Sequence, residues 1–509
     1  MNTSAMAVPL AATVLLARGP GSAEVFVVRQ AETLRFMGGF QAFPGGRVSP
    51  ADDALTAVPR QCVAAVRELF EETGVLLARR ADASFPADAD LADSRRELLA
   101  DSKAFPSLLD RLGLTIHSDD LTYAGSLVTP PFSSIRFDTA FYTADLPPGQ
   151  IAVVEPGELD AGEWLSADAA LCAWEQGRTL LSPPSVSLLE TIRGRPVTEL
   201  ARNGRALFDA LGAGAPERIY FSPQAQMIPL FCKGLPPTYY TNAFLVGQNP
   251  AYLIDPGPTD LYEQSRLFTL LDARLNAGAH MAGVLLTHHH PDHIGAADAI
   301  ARRYGVPVLA HPWTARVLAG KVKVDQEIGD GATLDLGIAP HGGAWRLEAI
   351  HTPGHAPGHL CFYESTYRLL FVGDMASTMS SVVITPPEGD ITEYLESLRR
   401  LRTRPARLLL PAHGSVSSRP QAVLDECVNH RRKREEQLVQ ALTAEPRRVT
   451  DLAQELYRGA PAEVMPYAEK QVLAGLLKLR REERAIEAGD EPEPMWRLTT
   501  LAESSPTDR

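Results

Sequence analysis

Residues 283–293 read Gly-Val-Leu-Leu-Thr-His-His-His-Pro-Asp-His, and this segment decides more than any other how the surrounding chain folds. Its first five residues predict a buried strand, and a helical pattern begins at Ile294. The polar residues between them occupy the loop after a strand, where side chains can converge without disrupting a core. Three imidazoles and one carboxylate in this loop form a ligand set suited to zinc or iron: His288, His290, His293 and Asp292. A lone histidine is more often a core residue, but four in six positions are not typical of a core.

Three further candidate ligands follow apolar segments downstream. His355 ends the turn His-Thr-Pro-Gly-His, Asp374 ends an apolar strand, and His413 follows an apolar run of leucines. Together these motifs resemble those of the metallo-β-lactamase superfamily, and the resemblance extends from Asn242 to His413. It implies an αββα sandwich with hydrolase activity.

The resemblance divides the seven side chains into two sets of metal ligands: His288, His290 and His355 for one ion, Asp292, His293 and His413 for a second, and Asp374 as the bridge between them. Zinc is expected at both positions, with iron or manganese as alternatives. Two such ions lower the pKa of a bridging water, so that hydroxide exists near neutral pH and attacks a carbonyl carbon or a phosphorus. Asp292 is also expected to act as a catalytic residue by orienting that water.

A second cluster of candidate ligands lies in Arg-Glu-Leu-Phe-Glu-Glu-Thr-Gly-Val at positions 67–75. Glu68, Glu71 and Glu72 stand at i, i+3 and i+4, which places their carboxylates on one side of a helix predicted over residues 60–73. Like charges at this spacing destabilise a bare helix, whereas Mg²⁺ or Mn²⁺ would offset the repulsion because both favour carboxylate oxygen. For three glutamates alone, a solvated acidic helix face is the simpler interpretation.

The segment is similar to the second half of the Nudix box, Arg-Glu-apolar-x-Glu-Glu-x-Gly-apolar, and Phe-Pro-Gly-Gly at 43–46 supplies the glycine end of the box. The interval between these glycines and the arginine is several residues longer than the family spacing, and the first glutamate of the box has no counterpart. The resemblance implies an α/β/α sandwich that hydrolyses a diphosphate linked to another group. Glu68, Glu71 and Glu72 would hold Mg²⁺ or Mn²⁺, and the first two would act catalytically. Arg67 would orient the glutamates.

The residues just before the Nudix box indicate which class of substrate this half of the chain hydrolyses. Arg35, Gly39 and the Phe-Pro-Gly-Gly segment resemble the downstream half of the signature of coenzyme A diphosphatases within the Nudix family. An alternative of similar weight is that the glycines and Phe43 only shape a turn. Coenzyme A is the leading substrate of this half, and the residues expected to contact it are Arg35, Gly39, Phe43, Gly45, Gly46 and Arg67.

The last part of the chain is helical and rich in charge. Residues 430–442, 449–457 and 468–479 predict helices, and residues 495–499 predict a returning strand. This arrangement resembles the winged-helix domain that follows the lactamase fold in the group related to β-lactamase-like protein 2, some members of which cut single-stranded RNA. The basic run at 430–434 offers contacts to phosphates, but nearby glutamates match its charge, so a structural or dimer-forming role is favoured.

Length and composition indicate a multidomain α/β and α+β protein. A chain of 509 residues exceeds one hydrophobic core, and we expect a Nudix domain at 1–212, a lactamase-fold domain at 213–425 and a winged-helix domain at 426–509. No apolar run reaches the length of a membrane helix. The five cysteines are scattered without a Cys-x-x-Cys pair, which favours a reducing cytoplasm over a disulfide framework or a thiolate zinc site. The net charge of -13 argues against tight, non-specific binding of nucleic acid.

Two complete ligand sets favour catalysis over a purely structural or binding role. The leading hypothesis is a bifunctional hydrolase, in which the lactamase-fold half is a thioesterase and the Nudix half cleaves the diphosphate of coenzyme A. The first alternative is an RNA-processing enzyme whose lactamase-fold half is an endoribonuclease. The second alternative, a regulator that binds nucleic acid through its winged helix, requires both sites to be idle and is disfavoured.

Overall fold

The structure, a computed structural model, describes residues 8–19, 23–215, 217–233, 237–488 and 494–499. The chain divides into two compact units, the first comprising residues up to Ile228 together with Pro340–Gly342 and the second comprising the rest from Pro229 onward. Among the helices of the described ranges, none combines the length and the apolar character that crossing a membrane requires.

A mixed sheet of seven strands forms the framework of the first unit. Its path is Gln41–Ala42, Glu24–Gln30, Leu10–Arg18, Asp138–Asp145 and Thr122–Val128, with Gly45–Arg47 paired to Leu10–Arg18 and Leu159–Leu165 paired to Glu24–Gln30. Leu10–Arg18 and Asp138–Asp145 are parallel, with Thr13 opposite Phe141. The first of these strands is buried on both faces, which explains why its sequence is almost continuously apolar.

The helix Arg60–Thr73 docks on one face of this sheet, and its bounds confirm the predicted span. Four fully buried apolar side chains of the helix share one cluster with Val14 of the central strand: Val63, Val66, Leu69 and Phe70. Burial contributes about 1.5–3 kcal/mol for each side chain of this size. The helix ends at Gly74, whose φ of 78° allows its N–H to donate to the Phe70 carbonyl at 2.9 Å.

Helices cover both faces of the first sheet. Ala92–Ala100 and Phe105–Leu112 contribute to the same core cluster as the helix above, whereas Ala167–Glu175, Pro183–Glu190 and Leu200–Gly212 contribute to a second cluster. Val14 belongs to the first cluster and Leu15 to the second, so the two cores lie on opposite faces of one strand. The predicted α/β/α sandwich is confirmed.

Two further sheets pack face to face. The first has the order Gln326–Glu327, Val308–Ala310, Met281–Leu285, Ala251–Ile254, Tyr240–Gly247, Ala225–Phe231 and Ile219–Ser222. The second has the order Thr333–Ile338, Ala344–His351, Leu360–Glu364, Leu369–Gly373 and Leu408–Pro411. The rings of Phe244 and Phe371, one from each sheet, have centroids 5.2 Å apart. With the helices Leu261–Asn276, Ala297–Tyr304, Pro312–Leu318 and Ile391–Arg402, the sheets form the predicted αββα sandwich.

The C-terminal part of the second unit is a winged helix, as predicted. Its helices are Pro420–Ala441, Val449–Leu456 and Met465–Arg481, and its strands are Arg447–Arg448, Met495–Leu498 and Ala485–Ala488 in that order across the sheet. Trp496 is 1% exposed and anchors the returning strand in a core with Leu452 and Leu476.

The helix Pro420–Ala441 begins well before the expected position at His430 and runs without a break through the boundary expected at 425–426. Leu424 and Val428 on its first half belong to the core of the second sheet. The lactamase fold and the winged helix are therefore joined by a continuous helix, with no flexible linker between them.

Candidate metal centres

The predicted ligands of the lactamase fold come together at the ends of several strands. The strand Met281–Leu285 leads into the loop that carries the first four, and the short helix Pro291–Ile294 starts inside that loop. His355, Asp374 and His413 lie in the turns that follow three strands of the second sheet. The ends of one strand in the first sheet of this fold and of three strands in the second therefore supply every predicted ligand.

One group comprises the ring nitrogens of three histidines and the carboxylate of Asp374. His290 Nδ1 lies 2.9 Å from His288 Nε2 and 3.0 Å from His355 Nε2. Asp374 Oδ2 lies 3.5 Å from His355 Nε2. One ligand atom from each of these four residues lies within 4.8 Å of the others, which is the spacing of atoms around a single metal ion.

The second group is Asp292, His293 and His413, whose ligand atoms also lie within 4.8 Å of one another. Asp374 Oδ1 lies 3.5 Å from His293 Nε2 and 3.3 Å from His413 Nε2. The two oxygens of Asp374 therefore face different groups, as a bridging ligand requires.

Among the seven proposed ligands, two buried atoms lack a hydrogen-bond partner within the described residues, namely His293 Nε2 and Asp374 Oδ1. An unpaired buried polar atom is costly unless a ligand satisfies it. Both atoms belong to the ligand groups described above, so the donor set fits a pair of divalent ions.

The protonation of the histidines differs between the two groups. Burial lowers the pKa of His290 to about 3, with a further contribution from His355, and burial also lowers the pKa of His288. These imidazoles are neutral, which is the form that binds a metal ion. Burial opposes the charged form of His413, but the charge of Asp374 and the hydrogen bond that the ring donates to Asp292 raise its pKa to about 10. A metal ion at the second group would displace that proton.

Polar groups outside the ligand set orient the rings. Asp255 Oδ2 lies 2.9 Å from His293 Nδ1, and the same carboxylate accepts hydrogen bonds from the Thr287 N–H and hydroxyl at 2.8 and 2.7 Å. The Tyr240 carbonyl lies 2.9 Å from His413 Nδ1. Each ring thereby turns its other nitrogen toward the ligand cluster.

His359 is a buried residue of this centre that the sequence analysis did not identify. Its Nε2 accepts a hydrogen bond from the Asp374 N–H at 3.2 Å, and its Nδ1 lies 2.9 Å from the Thr352 hydroxyl. Burial lowers its pKa well below the usual value, so the ring is neutral and can accept this bond. The available signal was the repeated Pro-Gly-His, at 353–355 and 357–359.

Three further histidines of this fold, His289, His311 and His351, have no predicted role as metal ligands. His289 Nε2 is 3.0 Å from Glu388 Oε2, and these two residues form a further group with His290. His311 and His351 stack with ring centroids 4.3 Å apart and an interplanar angle of 6°.

The glutamates of the first unit lie on the helix Arg60–Thr73, as predicted. Glu72 accepts a hydrogen bond from the Gly45 N–H at 2.9 Å, while Arg67 Nη1 lies 2.8 Å from Glu68 and 3.2 Å from Glu71. Among the described residues, the three carboxylates do not form a group with all ligand atoms within 4.8 Å, in contrast to the histidines. The structure brings them to one helix face and pairs two of them with Arg67.

Burial acts on all three of these carboxylates. It raises the pKa of Glu68 to about 7, against the opposing charge of Arg67. Burial also raises the pKa of Glu71, and it raises the pKa of Glu72 well above the usual value. A divalent cation would stabilise the ionised forms and remove this cost.

Asp52 is a buried partner of this site that the sequence analysis missed. Arg67 Nε donates to Asp52 Oδ1 at 2.9 Å, and both side chains are almost fully buried. Arg67 Nη2 also donates to the Arg47 carbonyl at 2.7 Å. Asp52 lies in the lengthened interval before the box, where the family pattern offered no residue to look for.

Four of the six predicted substrate-binding residues divide into two sets. Gly45 and Gly46 lie against the glutamates, since a Cβ on Gly46 would meet the Glu68 carboxylate at 2.4–2.6 Å. Gly39 has φ 75° and donates its N–H to the Gln30 carbonyl at 2.9 Å, and Phe43 is 4% exposed within the core. For Gly39 and Phe43 these contacts favour the alternative of a turn.

Comparisons with known proteins agree with this architecture. The family model described as the metallo-beta-lactamase superfamily matches residues 236–413, that of the NUDT19 Nudix domain matches 53–192, and that of the beta-lactamase associated winged helix domain matches 449–496. The chain contains these three domains, and its Nudix and metallo-β-lactamase domains make it a hydrolase.

Curated relatives cover about half of the chain. A beta-lactamase-like protein 2 homolog from Caenorhabditis elegans is 26% identical over 47% of this chain and 78% of its own length. The homolog from Drosophila melanogaster is 28% identical over 48% of this chain and 82% of its own length. The crystal structure of a beta-lactamase domain protein from Burkholderia ambifaria superposes with a TM-score of 0.50 at 19% identity, over 56% of this chain and 94% of that protein, and shows a shared fold.

Proposed function

We propose that this chain is a bifunctional metal-dependent hydrolase with two independent sites, the lactamase-fold site acting on a thioester and the Nudix site on the diphosphate of a coenzyme A-type substrate. The observation that carries the proposal is the position of Asp374, whose two oxygens face two separate groups of ligand atoms. The proposed segments are 1–212 for the Nudix domain, 213–425 for the lactamase fold and 426–509 for the winged helix. A cytoplasmic location and a homodimer remain predictions.

At the lactamase-fold site, the proposed ligands are those assigned from the sequence: His288, His290, His355, Asp292, His293, His413 and Asp374. Bound zinc, with iron or manganese as alternatives, supplies Lewis acidity that polarises a carbonyl group and makes water acidic near neutral pH. Asp292 Oδ2 lies 3.5 Å from both the Thr241 hydroxyl and His413 Nε2, which fixes this carboxylate where it can orient the attacking water.

At the Nudix site, Glu68, Glu71 and Glu72 are the proposed ligands of Mg²⁺ or Mn²⁺, which neutralises diphosphate charge when bound. Without a cation, burial raises the pKa of Glu68 to about 7, so a bound cation would keep this carboxylate ionised near neutral pH. Arg67 is held by Asp52 and aligns Glu68 and Glu71, so its role is to position the two carboxylates.

The residues before the Nudix box support coenzyme A as the substrate of that site, since Arg35 precedes the glycine segment at 43–46 with the coenzyme A diphosphatase spacing. A thioester of coenzyme A also offers each site its own bond to cleave, an acyl thioester at one and a diphosphate at the other.

An endoribonuclease remains the second candidate, because the winged helix is a common nucleic-acid-binding domain. Only part of its predicted basic run is accessible: Arg431 is buried and Arg434 is half-buried, whereas Arg432 and Lys433 are exposed. Two exposed cations offer few phosphate contacts, which counts against tight RNA binding and against a nucleic-acid-binding regulator.

The proposal is tested by mass spectrometry of the products formed from a panel of acyl-coenzyme A esters by the purified protein with Zn²⁺ and Mg²⁺. We expect free coenzyme A from the lactamase-fold site, and acyl-phosphopantetheine with 3′,5′-ADP from the Nudix site. The metal-free protein is the control. Absence of turnover with every ester, together with cleavage of single-stranded RNA oligonucleotides, would replace this proposal with the endoribonuclease.

A further inference from the structure

The loop at 382–384 connects the lactamase-fold centre to the C-terminal helices. This segment belongs to no strand or helix, so its three carbonyl groups depend on side chains for hydrogen bonds. The middle carbonyl, that of Val383, lies 2.8 Å from His355 Nδ1. That bond fixes the proton on Nδ1 and turns Nε2 toward His288 and His290.

The two flanking carbonyls are held by the winged helix. Arg431 donates through Nη2 to the Val382 carbonyl, and Gln471 donates through Nε2 to the Ile384 carbonyl at 3.0 Å. The two side chains are themselves joined, because Arg431 Nη1 donates to Gln471 Oε1 at 2.6 Å. Arg431 lies on Pro420–Ala441 and Gln471 on Met465–Arg481, so two helices of the winged helix act on one loop.

A second connection reinforces the first. The guanidinium carbon of Arg431 lies 5.4 Å from the centre of the Tyr394 ring, and the Tyr394 hydroxyl donates to the Met375 carbonyl at 2.8 Å. Met375 directly follows Asp374, the residue that faces both ligand groups. The same arginine is therefore tied to the backbone beside two proposed ligands, His355 and Asp374.

We propose that Arg431 and Gln471 are positioning residues of the lactamase-fold metal centre, which makes the winged helix a structural part of that centre through the loop at 382–384. The proposal rests on the ligation of metal by His355. Both side chains act indirectly, because they hold the carbonyls on either side of the one that orients the His355 ring. The burial of Arg431, 7% exposed, makes its geometry fixed.

The test compares Gln471→Met and Arg431→Met with the parent by zinc competition against a chromogenic chelator and by the visible absorption spectrum of the Co²⁺-substituted protein. Arg434→Met is the matched control, because Arg434 lies on the same helix and bonds only to Gln437 and the Leu456 carbonyl among the hydrogen bonds described. We expect both test variants to bind zinc about tenfold more weakly or worse and to alter the cobalt spectrum, whereas the control matches the parent.

Parent-like zinc affinity and a parent-like cobalt spectrum in both test variants would overturn the proposal, even if their melting temperatures fell. Gln471→Met carries the test if Arg431→Met does not fold, because Gln471 is only partly buried and methionine preserves its length. The variant His355→Ala distinguishes a wrong ligand assignment from a wrong positioning role. If that variant binds as much zinc as the parent, the ligand assignment itself is rejected, and the positioning role with it.

Discussion

Asp255 and His293 form a buried pair in which Oδ2 of the carboxylate lies 2.9 Å from Nδ1 of the ring, and the two side chains are 2% and 0% exposed. The pair leaves only His293 Nε2 free to face the ligand cluster. Asp255 also fixes the start of the histidine loop through Thr287. Asp255, which is not a proposed ligand, therefore determines the orientation of the His293 ring.

Replacing Asp255 with Asn should weaken zinc binding about tenfold or more, because the neutral amide is a poorer partner for the His293 ring. Asn is the suitable substitution since Asp255 has φ 48°, a conformation that Asn tolerates. The affinity is measured by chelator competition, with Asp335→Asn on the exposed edge of the second sheet as the control. Unchanged zinc affinity in the Asp255 variant would show that this carboxylate has only a folding role.

Replacing Gly46 with Ala should impair the Nudix site without unfolding the domain. The new Cβ would lie 2.4–2.6 Å from the carboxylate of Glu68, which must swing away and lose its alignment with Arg67. We expect diphosphatase kcat/KM to fall about tenfold or more. Gly157→Ala is the control, because a Cβ there meets nothing within 4 Å. Equal activities in the two variants would place Glu68 outside the catalytic machinery.

Removal of zinc should destabilise the lactamase fold. A ligand present at about one hundred times its Kd stabilises the folded state by roughly 2.7 kcal/mol, which corresponds to a shift in melting temperature of about 5–10 °C for a domain of this size. Calorimetry with and without a zinc-selective chelator measures the shift. The Asp292→Ala, His293→Ala double variant should respond less than the parent. The same thermogram with and without chelator would contradict the assigned metal centre.

The stability of the second unit should fall below neutral pH in a manner that depends on His311. Burial, followed by the charge of His351, lowers the pKa of His311 to about 4, against about 6.5 in an unfolded chain. The unfolded state binds more protons between these values, so this contribution to stability is complete above about pH 6.5 and is lost toward pH 4.

The variant His311→Asn tests this pH dependence, because Asn retains the capacity to cap the helix Pro312–Leu318. The urea midpoint of the variant should change less between pH 7.5 and pH 5 than that of the parent. The same change in both proteins would exclude His311 as a source of the acid sensitivity.

The clustering of the seven proposed ligands was predictable from sequence, because the resemblance to the metallo-β-lactamase superfamily singles out these residues and the apolar strands before them end close together. Helix Arg60–Thr73 was predictable for a similar reason, since its apolar period and Gly74 fix both the buried face and the end. Asp52 and Asp255 were not predictable, because their roles depend on contacts with Arg67 and His293 across 15 and 38 positions of sequence. The contacts of the loop at 382–384 were not predictable for the same reason, since its partners lie on helices far along the chain.

The reciprocal effect of two double variants on acyl-coenzyme A tests the claim of two independent hydrolytic sites most directly. Glu71→Gln, Glu72→Gln should abolish formation of 3′,5′-ADP and leave release of free coenzyme A at the parent rate, while Asp292→Ala, His293→Ala should do the reverse. Both products are quantified by mass spectrometry in one reaction. Loss of both products in either double variant would contradict the account.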